Sequence, residues 1–133
     1  IITASNFILL SDEALKIDDL EIIGFNYVGR ENSNLNREIK NLSNDQSFRI
    51  VVNHVPVNQK EAQNLKANLM LSGHTHRGQI FPFSAFLNLL YGRFAYGLEK
   101  YQNMITYTSA GVGTWGPPIR TLFPGEIIHF FIK

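Results

Sequence analysis

FRIVVNHVPVNQKEAQNLKANLMLSGHTHRG, Phe48 to Gly78, decides the reading of the fold. Phe48, Ile50, Val51 and Val52 form an apolar run that turns polar at Asn53 and His54 and is stopped by Pro56, which reads as a strand. Gln59–Lys66 reads as a helix. Leu69–Leu71 is a second strand, ended by Ser72 and Gly73. Strand, helix, strand in this spacing is a βαβ unit with a parallel pair, the building block of an α/β sheet. Both strands are followed at once by histidine: His54 after the first, His74 and His76 after the second. Open α/β sheets bind ligands beyond the carboxyl ends of their strands. Three of the chain's four histidines therefore fall where such a fold keeps its chemistry.

Working outward, Asn6–Leu10, Ala14–Ile17 and Leu20–Val28 read as strands, with Asp18 and Asp19 as a hairpin-like turn between the last two. Leu35, Ile39 and Leu42 sit at helical spacing in Asn34–Leu42 and predict a short amphipathic helix. Ser84–Gly92 reads as a helical turn or short helix. Met104–Ala110 alternates like a strand, and Glu126–Lys133 closes the chain as another. Residues 1–133 form one domain, strand-rich with short interleaved helices, and no internal repeat is visible.

Composition excludes several classes. Hydrophobic residues are 44% and charged residues 17%, the balance of a globular chain rather than a disordered one. The net charge of +1 comes with scattered Lys and Arg, so no nucleic-acid-binding surface is evident. With no cysteine there is neither a disulfide framework nor thiolate chemistry. No stretch reaches the roughly 20 apolar residues of a membrane span, and no targeting segment is visible. Localisation is left unknown, cytoplasmic or cell-envelope associated. A start at Ile1 without methionine is read as a trimmed or processed chain.

Neutral imidazole is a common ligand for zinc, manganese and iron. If Gly73-His74-Thr75-His76 is extended, His74 and His76 point to one side, towards one metal or two adjacent ones, with Gly73 and Gly78 allowing sharp turns. The plain alternative is a surface turn holding two histidines, and the placement of His54 weighs against it. His129 lies among apolar residues and reads as a structural or half-exposed histidine rather than a ligand. Asp12, Glu13, Asp18, Asp19 and Glu21 read as a solvated hairpin face. Two-metal phosphoester chemistry needs metals about 3.5–4 Å apart with a shared carboxylate or hydroxide, and no carboxylate is placed like such a ligand. The sequence supplies half of a site.

VVNHVP (Val51–Pro56) followed by SGHTHRGQ (Ser72–Gln79) resembles the last two metal-binding motifs of the calcineurin-like metallophosphoesterases. SAGVGTWGPPIRTLFPGEI (Ser109–Ile127) resembles the glycine-rich segment and closing strand of that family's bacterial phosphohydrolase branch. SNFILLSDEALKIDDLEIIGFN (Ser5–Asn26) resembles the stretch after its G-N-H motif. The resemblance covers nearly the whole chain. It implies the C-terminal half of an α-β-β-α sandwich, two divalent metal ions such as Mn, Fe or Zn in the intact protein, and a phosphomonoester or phosphodiester substrate. His54 and His74 would ligate one metal and His76 the other. The family's D-x-H, G-D and G-N-H motifs, which supply the bridging aspartate, an asparagine ligand and a catalytic histidine, are not in this chain. No catalytic residue is therefore assigned within it. It is expected to be inactive alone and to need the missing N-terminal half as its partner, with metal binding by the fragment itself left open. Two departures stand out: Arg77 where glycine is common in this branch, and Gly125 between Pro124 and Glu126. Arg77 is a candidate substrate-phosphate contact, with a solvent-facing side chain the equal alternative.

A rival reading makes the chain a binding or interaction module with vestigial histidines. FPFSAFLNLLYGRFAYGL (Phe81–Leu98) would then be its working surface, lining a groove for a lipid-like substrate or lying near a membrane. The competing expectation is that this region packs on the absent half, and that the exposed core face drives self-association. A mononuclear zinc site made of the three histidines is a third option.

Overall fold

The computed structural model describes residues 7–27 and 37–132. Six strands form one mixed sheet in the order β1-β2-β3-β4-β6-β5. β1 (Glu13–Ile17) and β2 (Leu20–Gly24) make an antiparallel hairpin turning at Asp18 and Asp19. β3 (Phe48–Val52) runs parallel to β2, β4 (Leu69–Ser72) parallel to β3, and β6 (Met104–Thr108) parallel to β4. β5 (Gly97–Tyr101) returns antiparallel along β6 as the second edge. The βαβ unit is present: α1 (Gln59–Asn64) joins β3 to β4. It ends because Lys66 turns left-handed, at φ 58°. The N–H of Ala67 then bonds Ala62 O at 3.1 Å and that of Lys66 bonds Gln63 O at 2.9 Å, the paired closure that satisfies a helix's last carbonyls.

Residues paired across neighbouring strands share a face of the sheet. Ala14, Ile23, Val51 and Met70 lie in such a row, and Ala62 and Leu65 of the α1 region cover them. That is the core. The other face carries Leu15, Ile22, Ile50, Leu69 and Ile105 in one row and Val52, Leu71, Tyr107 and Leu98 in the next. No helix covers it among the described residues. Val52 and Ile105 are nearly half exposed there.

Several expectations are corrected. Phe7–Leu10 forms no strand, although Leu10 packs against Gly24 closely enough that a Cβ there would meet Leu10 Cβ at 2.6 Å. Of the helix expected at Asn34–Leu42, residues 34–36 lie outside the described residues and Arg37–Leu42 is not helical. Its backbone is drawn to the β1 edge instead: Ala14 N–H donates to Lys40 O and Lys40 N–H to Asp12 O. Ile39 and Leu42 still reach the core, so the apolar spacing was real and the helix was not. The end of the strand expected at Leu20–Val28 also lies outside the described residues, since Val28 is among those not described. Glu126–Ile132 forms no strand, because β5 already occupies the edge beside β6. Phe130, Phe131 and Ile132 instead lie beside Phe48, Leu98 and Ile105 on the open face.

The acidic hairpin is not wholly solvated. Glu21 is fully buried and its Oε2 accepts from Arg49 Nε at 2.6 Å. Ser43 N–H donates to Glu21 Oε1, and the Arg49 guanidinium also donates to Leu65 O and Ser43 O. Burial pushes the Glu21 carboxyl up, but the bonds from Ser43 and Arg49 outweigh it and hold it below the ordinary glutamate value. Asp12 accepts from Arg37 at 2.7 Å.

Candidate metal centre

Adjacent parallel strands bring their carboxyl ends together, and the histidines follow from that. Beyond β3, buried Asn53 donates through Nδ2 to Val55 O and Val57 O, both at 2.9 Å, and so folds the segment carrying His54. Gly73 N–H donates to His54 O at 3.0 Å, which fastens the end of β4 to it. His54 Nε2 and His74 Nδ1 stand 3.1 Å apart, their rings nearly perpendicular at 77°. Tyr27 flanks the pair on His54 and Tyr91 on His74, both edge-on. Burial, then the nearby His54 and His76, push the His74 imidazole below its ordinary value, favouring the neutral form that ligates metals.

The loop is not extended, so His74 and His76 do not simply face one way. His74, His76, Arg77, Gly78 and Gln79 all have positive φ. Four of these are not glycine, and each such residue costs about 1 kcal/mol or more. Gly73 does not supply the sharp turn; His74 does, at φ 68°. Gly78, at φ 77°, is needed twice over, since a Cβ there would meet Ser84 Cα at 2.4 Å. Ser84 belongs to α2 (Phe83–Tyr91), so this glycine lets the helix sit against the histidine loop.

Hydrogen bonds between the loop and the tail hold the strained loop. Gln79 Nε2 donates to Trp115 O at 2.7 Å, and Trp115 N–H donates back to Gln79 Oε1 at 2.6 Å. Thr121 N–H donates to Gln79 O. Arg120 spans the gap: its Nη1 donates to His76 O at 3.4 Å, and its Nη2 donates to Ala110 O at 2.8 Å and lies 3.5 Å from His76 Nδ1. Sequence reasoning missed Arg120. Its signal was its isolation, the single Lys, Arg, Asp or Glu between Lys100 and Glu126. Gly125 has a structural reason, because a Cβ there would crowd Gly111 O at 3.0 Å, and the next residue, Glu126, accepts from Ala110 N–H and Tyr96 O–H.

Arg77 is half-buried. Its guanidinium lies between the rings of Tyr96 and Phe123, at 4.0 and 3.9 Å from their centres. His129 is exposed and stacks on Phe131 at 4.2 Å.

The structure thus brings His54 and His74 into contact, with His76 close by in the same cleft and set against Arg120. Among the described residues no group of three or more His, Asp or Glu side chains is gathered to hold a metal ion. The His54–His74 pair passes a geometric test. Two nitrogens each about 2.0–2.1 Å from one zinc lie about 3.0–3.4 Å apart, and 3.1 Å falls inside that range.

Known proteins supply the wider frame. A metallophosphoesterase of Helicobacter pylori, itself described as uncharacterized, is 34% identical over 133 residues, 93% of this chain and 35% of its own length. One from Bacillus subtilis is 32% identical, over 91% of the chain and 40% of its length. A Bos taurus transmembrane protein with a metallophosphoesterase domain is 32% identical, over 88% of the chain and 26% of its length. The chain spans about a third of the relatives it matches first. No family model and no solved structure matches it. Among the described residues no helix is long and apolar enough to cross a membrane. Relatives that cover about nine-tenths of the chain share one name, and the six-stranded mixed sheet agrees with it: the chain belongs to the metallophosphoesterases, as the C-terminal portion of a calcineurin-like domain.

Proposed function

We propose that the intact protein is a dinuclear-metal phosphohydrolase acting on phosphate monoesters or diesters, and that this chain supplies its histidine ligands. The observation that carries the reading is the 3.1 Å approach of His54 and His74 at the ends of neighbouring parallel strands. In this reading the pair holds one divalent ion, of Mn, Fe or Zn type, and His76 a second. Bound metals would supply Lewis acidity and an activated water. The chain's own residues position. Arg120 fixes the His76 backbone, and Gln79 pins the loop to the tail. Arg77, covered on both ring-facing sides, secures the loop to Tyr96 and Phe123 and keeps only its edge N–H groups for a phosphate.

The strip of residues 69–80 offers no carboxylate, and none lines the cleft beside the histidines. This supports the reading that the chain alone does not turn over substrate and depends on the rest of its domain. The test is hydrolysis of an aryl phosphodiester with Mn²⁺. The full-length protein should act and lose activity on His76→Ala, while the 133-residue chain should not act. Hydrolysis by the chain alone, abolished by the same substitution, would refute the division of the site. A full-length protein inactive under these conditions, whose His54→Ala and His74→Ala variants bind metal as well as the parent, would favour a non-catalytic interaction module.

A further inference from the structure

The cleft beside the histidines is lined by two unlike sets of side chains. His54, His74 and His76 form one, and Ile80, Phe83, Leu87, Trp115 and Pro117 the other, around a space of about 610 Å³. That volume is in the range of small-molecule sites. The second set is apolar apart from the Trp115 indole N–H, and much of the polar capacity beside it is already engaged. Both amide atoms of Gln79 are committed to the Trp115 backbone, and Thr75 Oγ1 accepts from Arg77 N–H. No Asp, Glu, Asn, Lys or Arg lines the cleft. A nucleobase there would meet the Thr75 hydroxyl and the Trp115 indole N–H but no carboxylate, asparagine or cation to read its edges, and would leave most of its polar groups unpaired. An aliphatic chain has no such need and gains from leaving water. Phe83 and Leu87 sit a turn apart on α2, so they present one surface to the cleft.

We infer that the cleft takes the apolar chain of an amphiphilic phosphate ester, whose phosphate meets the histidines while its chain lies on Phe83, Leu87, Ile80 and Trp115. This rests on the phosphohydrolase reading and names its substrate class. The reaction would form a bond from water oxygen to phosphorus, break the ester P–O bond, and release an alcohol that takes a proton from that water.

The test is calorimetric titration of the full-length Mn²⁺-loaded protein with non-hydrolysable alkylphosphonates, methyl to decyl, kept below their micelle concentrations. Affinity is expected to rise about fourfold per added methylene. Phe83→Ser, at a ring already 58% exposed and so safe for folding, and Leu87→Ser should each at least halve that slope. Aryl phosphodiester turnover is measured alongside. A flat chain-length dependence in a protein that turns over the diester overturns the inference and spares the phosphohydrolase reading. An adenosine phosphonate binding more tightly than decylphosphonate also overturns it. A steep slope in a protein that never hydrolyses the diester upholds the apolar cleft and overturns the phosphohydrolase reading.

Discussion

Two arginines illustrate what a single residue does here. Arg120 reaches across from the tail to the backbone of His76, and partners that orient a ligand commonly matter about 10–100-fold in metal affinity. Arg120→Gln is therefore expected to weaken Mn²⁺ or Zn²⁺ binding by about that factor, read by titration calorimetry, with the sheet's far-ultraviolet signal retained. Arg49 acts at the opposite end of β3, against buried Glu21. Glu21→Gln strands a buried guanidinium and should cost about 3–5 kcal/mol in urea unfolding, whereas replacing both partners with apolar residues should cost much less. Because the folded Glu21 is held below its ordinary value of 4.5, the stability it contributes is complete above that pH. It is lost as pH falls through the lower folded value. The acid limb of the stability curve should flatten in the double variant. Neither arginine's role was legible in the sequence, since both spend their donors on backbone carbonyls far along the chain.

At the scale of elements, what could be read was local. β3, α1 and β4 announce themselves because apolar strands flank a compact helix, and the positions of His54, His74 and His76 follow from parallel pairing. β5 was missed because GLEKY mixes charge with apolar residues and acquires its structure only by pairing with β6. The tail and residues 37–42 kept their apolar spacing without the predicted element, because an edge or a face elsewhere claimed their backbone. The histidine loop was read as extended, yet it is left-handed almost throughout. Its dependence on Gly78 gives a sharp expectation. Gly78→Ala forces a Cβ into Ser84 and should displace α2, costing about 1–3 kcal/mol. It should abolish tight metal binding while the strand signal remains, read by thermal melts and metal titration on one preparation.

For the whole molecule, the informative asymmetry is between the sheet's two faces. One is covered by α1; the other shows rows of Ile, Leu and Val, with Leu98 63% exposed. Contiguous apolar surface of this kind marks an interface, so the 133-residue chain is expected to self-associate. Sedimentation over a hundredfold concentration range checks it, and a strict monomer throughout would count against it. Ile17→Lys with Ile105→Lys, on exposed positions of that face, should shift the distribution back to monomer. Such a face was foreseeable from motifs implying half a domain, but which residues form it required the strand register.

The clasp between tail and histidine loop has one more consequence. Val112, Trp115 and Ile119 are exposed, at 71, 77 and 54%, and surface stretches of this kind are where proteases cut first. A single chymotryptic nick at Trp115 would release the span that holds Gln79, while leaving all six strands covalently intact. The nicked protein should run as two fragments on a denaturing gel, keep its sheet, and, within the full-length protein, bind Mn²⁺ more weakly than the uncut form. Digestion and holding together would then be separable properties of one molecule, and a bound ion should protect the site from the enzyme.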